Sequence, residues 1–125
     1  MIQSMNEFFQ KDIISIRDFD KQKLESIFDA TNKIIKLKPN DRREIGRGKT
    51  LGYLFYEPST RTRLSFEAAI ASIGGTSIGI SNISSSSTQK GESLADTVRI
   101  MSIYSDVLVL RHPLDGSSRF AAEIS

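Results

Sequence analysis

Three short apolar runs, spaced between stretches of helical periodicity, limit this chain more than any other feature. The first, LGYLFY at 51–56, is almost wholly apolar, as suits a strand covered on both faces. TSIGISNI at 76–83 and DVLVLR at 106–111 are the second and third strands. Each is followed by a segment of a different period. In 59–73, Phe66, Ile70 and Ile73 form one row at helical spacing, and Leu64, Ala68 and Ala71 form another. In 93–104 the row is Leu94, Val98 and Met101, with Ser93 and Asp96 at capping-box spacing. A last helix starts at Ser118. Ahead of the first strand, Leu24, Ile27, Phe28, Thr31, Ile34 and Ile35 mark a helix that Asp20 caps and that Pro39 and Asn40 end. Residues 37–50, polar and glycine-bearing, read as a surface loop. Strand and helix alternating three times predict an α/β fold: a parallel sheet with helices on both faces.

With 125 residues the chain has room for one domain. Hydrophobic residues make up 38% and charged residues 26%, an ordinary globular balance, and the net charge of +2 gives no ground for nucleic acid. There is no cysteine, which excludes disulfides and thiolate metal sites, and one histidine, His112, makes a His-rich metal site a poor expectation. MIQSMNEFFQKD has no basic segment leading into an apolar one, and no run approaches the ~18 apolar residues of a membrane span. A cytoplasmic protein that binds no membrane is expected. RFAAEIS at the end reads as the opening turns of a helix, so a piece of a longer protein is expected too.

Ligands of open parallel sheets bind beyond the carboxyl ends of the strands. Three segments meet there: PSTRTR, SSSSTQKG and RHP. They bring hydroxyls at Ser59, Thr60, Thr62 and Ser86, and cations at Arg61, Lys90 and Arg111. Amide groups at a helix start add further donors. Such a set suits an anion, and phosphate fits best, being tetrahedral, multiply charged and matched by guanidinium forks. Arg61 and Arg63 stand in a helix's first turn, where the dipole disfavours cations. An oxyanion lying among them would remove that conflict. Ser59 also reads as that helix's N-cap. Two other patterns are set aside. GRGKT at 46–50 resembles the tail of a P-loop, but Arg43 stands where the first glycine belongs, and GKT precedes a strand instead of following one. Lys33, Lys36, Lys38, Arg42, Arg43, Arg47 and Lys49 are interrupted by Asp41 and Glu44 and have no interleaved aromatic platform, so a solvated face is expected.

FYEPSTRTRLSFE, SSSSTQKGESLADTVRIMSIYSDVLVLRHP and DIISIRDFD together resemble the aspartate carbamoyltransferase catalytic chains of the aspartate/ornithine carbamoyltransferase family. The resemblance runs over almost the whole chain. STRTR marks the wider family; its combination with KGESLADT and RHP is the specific part. Ornithine carbamoyltransferases share STRTR, yet typically carry Lys two residues before its Ser, where this chain has Glu57, and differ at Arg111-His112-Pro113.

The resemblance implies transfer of a carbamoyl group from carbamoyl phosphate to L-aspartate, an early step of pyrimidine synthesis, with no metal and no cofactor. It assigns Ser59, Thr60, Arg61 and Thr62 to the phosphate, and Thr62 and Arg111 to the carbonyl oxygen, with Arg61, Thr62 and Arg111 as the catalytic set. His112 is a further candidate. Ser86 and Lys90 would reach a neighbouring subunit's site in a homotrimer, Glu57 would help hold two domains closed, and regulatory chains are a partner the family allows. Residues 1–125 would form a Rossmann-like carbamoyl-phosphate-binding domain, incomplete because it stops before its last strand, with the aspartate-binding domain absent. Such a piece is expected to have no useful turnover by itself. The competing class is a non-catalytic phosphate-binding or oligomerisation module that kept the fold.

Overall fold

The computed structural model describes residues 7–81 and 93–125. The chain divides into two compact units, Met1–Arg42 and Arg43–Ser125.

In the first unit a short 3-10 turn, Ile16–Asp18, leads to helix α1, Lys21–Lys36. Asp20 caps α1 as its sequence predicts: the carboxylate accepts from the Lys23 amide at 2.8 Å. No residue of α1 is buried, and Phe28 and Ile35 on its apolar side are 61% and 62% exposed. Phe8 and Phe19 stack, with ring centroids 6.1 Å apart.

Helix α2, Pro39–Ile45, corrects the loop expected over 37–50. Proline stops α1, but at the first position of a new helix its missing N–H is no loss and its fixed φ is already helical. The Arg42 amide closes the first turn onto the Lys38 carbonyl at 2.9 Å. Asp41 lies in that first turn, on the favourable side of the dipole.

The second unit holds strand β1, Thr50–Phe55; helix α3, Thr60–Ser72; strand β2, Thr76–Ser81; helix α4, Leu94–Tyr104; strand β3, Val107–Arg111; and helix α5, Ser117–Ile124. The strands form a parallel sheet in the order β2-β1-β3. The α/β fold with a parallel sheet, read from alternation, is therefore correct. β1 lies one residue earlier than the expected 51–56, β2 is described as far as Ser81 of the expected 76–83, β3 starts one residue late, and α5 begins at Ser117, one residue early.

Central β1 is buried at every position after Thr50. Its side chains alternate between two cores. Leu51, Tyr53 and Phe55 pack with Ile70 of α3, joined by the half-buried Ile73 and Val109. Leu54 packs the other way, on Val98 and Met101 of α4 and Ala121 of α5. Helices thus cover both faces. Phe55, Leu54 and Val98 are the largest side chains fully withdrawn from water. Each such burial contributes about 1.5–3 kcal/mol. Edge strand β2 is barely covered: Ile78 and Ile80, register partners of Gly52 and Leu54, remain 39% and 48% exposed.

Ser93 accepts from the Asp96 amide at 3.2 Å, so the capping position predicted for α4 holds. Gly74 ends α3 with φ +92. Among the described residues, no helix is long and apolar enough to cross a membrane.

Candidate functional site

The sheet order fixes where a crevice opens. From β1 the chain turns into α3 on one face and continues to β2. From β3 it turns into α5 on the opposite face. The loops leaving the carboxyl ends of β1 and β3 therefore diverge, which is the switch-point geometry that makes ligand crevices in open α/β sheets. The register brings the strand ends level: Phe55 lies between Ser81 of β2 and Arg111 of β3. One further bond, from the Tyr56 amide to the Arg111 carbonyl at 2.9 Å, locks the β1 and β3 ends together.

Arg111 is the last residue of β3, and its side chain gathers the β1–α3 loop. Its Nε donates to a Glu57 carboxylate oxygen at 3.0 Å, and its Nη1 donates to Ser59 Oγ at 2.7 Å. A longer contact, 3.5 Å, runs from Nη1 to Thr62 Oγ1. Arg111 Nη2 has no hydrogen-bond partner among the described residues. Glu57, Ser59, Thr62 and Arg111, four of the residues singled out in the sequence, thus form one connected group across 49 to 54 positions of chain. The Arg111–Glu57 pair is half exposed, with side chains 45% and 35% accessible. Pairs this open are worth roughly 0.2–1 kcal/mol and exchange readily for another anion.

Thr60 and Arg61 are the first two residues of α3, both exposed. Among the described residues, Arg61 has no carboxylate partner. The free amides of the α3 first turn, the Thr60 hydroxyl and the Arg61 guanidinium can all serve an anion at the positive end of the helix.

Two expectations change. Ser59 occupies the N-cap position, but its side chain makes no capping bond. With φ −158 and ψ 56 at this residue, the hydroxyl accepts from Arg111 in place of an α3 amide. Nor does Arg63 flank an anion beside Arg61. Its Nη1 lies 3.7 Å from Glu67 Oε1, one helical turn on. The same carboxylate oxygen accepts from the Tyr53 hydroxyl of β1 at 2.7 Å. That bond to Glu67 raises the Tyr53 pKa above its ordinary value of 10.0, with burial acting in the same direction and Arg63 opposing. The dipole conflict is half resolved inside the protein, by a carboxylate at i+4. Tyr53 and Glu67 were not singled out in the sequence. The spacing of Glu67 after Arg63 was a usable sign, as was a tyrosine in a doubly buried strand, whose hydroxyl requires a partner.

His112 is tied into its own loop. Its Nδ1 accepts from the Leu114 amide at 3.1 Å and lies 2.9 Å from the buried Ser117 hydroxyl. Its ring packs on Tyr56 with centroids 4.7 Å apart. An amide donor at Nδ1 assigns any proton of the neutral ring to Nε2. Ser86 and Lys90 lie outside the described residues.

A parallel α/β domain with a cluster of hydroxyl and guanidinium donors at its switch point defines the class: an anion-binding domain of doubly wound type. The model of the family described as "Aspartate/ornithine carbamoyltransferase, carbamoyl-P binding domain" matches residues 11–125, and the chain belongs to that family. It is 81% identical to the aspartate carbamoyltransferase catalytic subunit of Nitrosopumilus maritimus, over 97% of this chain and 39% of the relative. The solved catalytic subunit of M. jannaschii aspartate transcarbamoylase superposes with a TM-score of 0.84 at 46% identity, covering 92% of this chain and 38% of that one. Aspartate transcarbamoylase from Trypanosoma cruzi, solved in complex with carbamoyl phosphate and aspartate, gives 0.74 at 31% identity, over 92% and 38%. The chain thus spans about two fifths of the length of the relatives it matches.

Proposed function

We propose that this chain forms the carbamoyl-phosphate half of an aspartate carbamoyltransferase. The observation that carries the reading is the Arg111–Ser59–Thr62 cluster at the positive end of α3, in a chain 81% identical to a catalytic subunit of that name.

Carbamoyl phosphate enters with its phosphate at the start of α3. Ser59, Thr60, Arg61, Thr62 and the free amides of the first turn hold the phosphate oxygens. The carbonyl oxygen faces Thr62 and Arg111. The amine of L-aspartate attacks the carbonyl carbon with its lone pair, and the carbonyl π electrons move onto oxygen. Arg111 and the Thr62 hydroxyl stabilise that oxyanion. Collapse re-forms the carbonyl, breaks the bond from carbon to the bridging oxygen, and leaves the electron pair on phosphate, where Arg61 balances it. The proton lost by the amine passes to the departing phosphate, and N-carbamoyl-L-aspartate and hydrogen phosphate depart. Donors placed in advance act without reorganising, and losing one such donor costs about 2.7–4 kcal/mol of barrier. Orientation and charge suffice, so no covalent nucleophile is required.

In the free site Arg111 is committed to Glu57. Binding the substrate exchanges that carboxylate for the ligand and releases Glu57 to hold two domains in the closed form. On this reading residues 1–125 are most of the carbamoyl-phosphate domain. The groups that clamp the aspartate carboxylates belong to the further three fifths of the relatives' length. Ser86 and Lys90 complete a neighbouring subunit's site in a cytoplasmic homotrimer. The protein serves pyrimidine synthesis, with regulatory chains as partners the family allows.

The test supplies carbamoyl phosphate with L-aspartate or L-ornithine to the protein in its complete reading frame. Formation of N-carbamoyl-L-aspartate, lost in Arg61→Ala, is expected. Citrulline formation would move the protein to the ornithine enzymes, and no turnover with intact phosphate binding would leave a non-catalytic module.

A further inference from the structure

We propose that Glu67 is a positioning residue for the anion site, acting through Arg63 and Tyr53. The proposal rests on the reading of the α3 start as a phosphate site and concerns how that start is held.

Three residues from two elements meet on one oxygen. Tyr53 stands in the middle of β1 and is 8% exposed. Its hydroxyl donates to Glu67 Oε1 at 2.7 Å, and Arg63 Nη1 lies 3.7 Å from the same atom. The Arg63 and Glu67 side chains are 31% and 28% accessible, so the cluster is partly shielded at the β1 side of α3. Arg63 is the fourth residue of α3 and follows directly on Thr62. Glu67 therefore fastens the first turn of the helix to the rigid central strand by a polar link. Further along, Ile70 packs α3 on the same strand, and just past its end the Ile73 carbonyl accepts from the Gly46 amide at 2.7 Å.

The link has two consequences. It fixes the rotation of α3 about its axis, and with it the directions of the Thr60, Arg61 and Thr62 side chains and of the free amides. It also withdraws one of two nearby cations from the anion. Arg61 and Arg63, two apart in a helix, point about 200° around the axis from each other. With Arg63 neutralised by Glu67, the anion meets one guanidinium at this helix, Arg61, in a single geometry. Without Glu67, Arg63 gains freedom at the positive end of a helix, where its charge is disfavoured, and the first turn loses its tie to β1.

The experiment is calorimetric titration of the intact protein with inorganic phosphate, alongside thermal unfolding. Glu67→Ala is expected to weaken phosphate binding about tenfold. Glu67→Gln keeps an oxygen that accepts from both Tyr53 and Arg63 but not the charge that neutralises Arg63, and is expected to recover part of the affinity. Tyr53→Phe removes only the hydroxyl from a similar ring, and is expected to weaken binding about threefold. It decides the matter should Glu67→Ala fail to fold. Ala68→Gly loosens the exposed side of α3 without touching the link, and is expected to lower the unfolding temperature with phosphate affinity unchanged. That contrast separates positioning from loss of helix stability. Wild-type affinity in both Glu67→Ala and Tyr53→Phe, with binding abolished in Arg61→Ala, overturns the positioning role and leaves the site standing. Wild-type affinity in Arg61→Ala overturns the site itself, and the proposal with it.

Discussion

Arg111 and Glu57, 54 residues apart, are joined by a hydrogen bond of 3.0 Å across the mouth of the β1–β3 crevice. The carboxylate occupies part of the guanidinium that a bound anion would use. Relieving this competition in Glu57→Gln is expected to tighten inorganic phosphate binding by about 1.4- to fivefold, the range that an exposed pair of 0.2–1 kcal/mol allows. With Glu57 in the proposed interdomain role, turnover in the complete enzyme is expected to fall at the same time. Calorimetry and steady-state kinetics on one variant read the two effects, and a fall in both would mean that Glu57 does not compete for Arg111.

Ser59 and Ser93 both stand at helix N-caps, and only Ser93 caps with its side chain. Ser93→Ala is expected to cost about 1 kcal/mol of folding stability, the usual loss for a cap. Ser59→Ala is expected to cost less than about 0.5 kcal/mol, as for a surface change, while weakening phosphate binding clearly. Urea unfolding of the two variants checks the contrast. Equal destabilisation would return Ser59 to an ordinary capping role.

Gly74 and Gly48 have positive φ, +92 and +73. A Cβ at Gly48 meets nothing within 4 Å, whereas one at Gly74 would overlap the Arg43 backbone carbonyl. Gly48→Ala thus carries only the backbone strain, about 1–2 kcal/mol. Gly74→Ala adds a clash with main chain that cannot swing aside, and is expected to exceed about 3 kcal/mol. Denaturant midpoints distinguish the two, and similar losses would show that the α3 terminus has room to shift.

Periodicity carried most of the fold because β1 is buried on both faces and the helices between strands have one apolar row each. The run LGYLFY leaves no other assignment, and Leu94, Val98 and Met101 all reach the core they imply. Helix α2 escaped detection because its seven polar-rich residues, the first of them a proline, carry no apolar row, and Pro39 reads equally as a stop or a start. At the site, parallel topology was enough to place Arg111 near the α3 start. The direction of each side chain was not readable. Ser59 turned to Arg111, and Arg63 turned to Glu67, because those choices depend on partners 52 residues away in one case and on a strand tyrosine in the other.

Asp106 ties the opposite, amino ends of β1 and β3 together and should make the fold sensitive to acid. Its Oδ2 accepts from the Thr50 amide at 2.8 Å, and its Oδ1 lies 3.4 Å from Lys49 Nζ. The backbone bond from Thr50, with the Lys49 charge helping against burial, holds its pKa below the ordinary 3.8. A carboxyl whose folded pKa is depressed binds fewer protons in the native state than in the unfolded one. Its contribution is therefore fully present above the ordinary value, and it is lost as pH falls through the folded value. Asp106→Asn keeps an oxygen for the Thr50 amide but cannot titrate. The variant is expected to be less stable than wild type at neutral pH, and the gap is expected to narrow between about pH 5 and about pH 3. Thermal unfolding across that range, at low salt so that the Lys49 attraction is not screened, measures the gap. A gap that stays constant with pH would show that Asp106 holds the strand ends by geometry alone, with its charge contributing nothing.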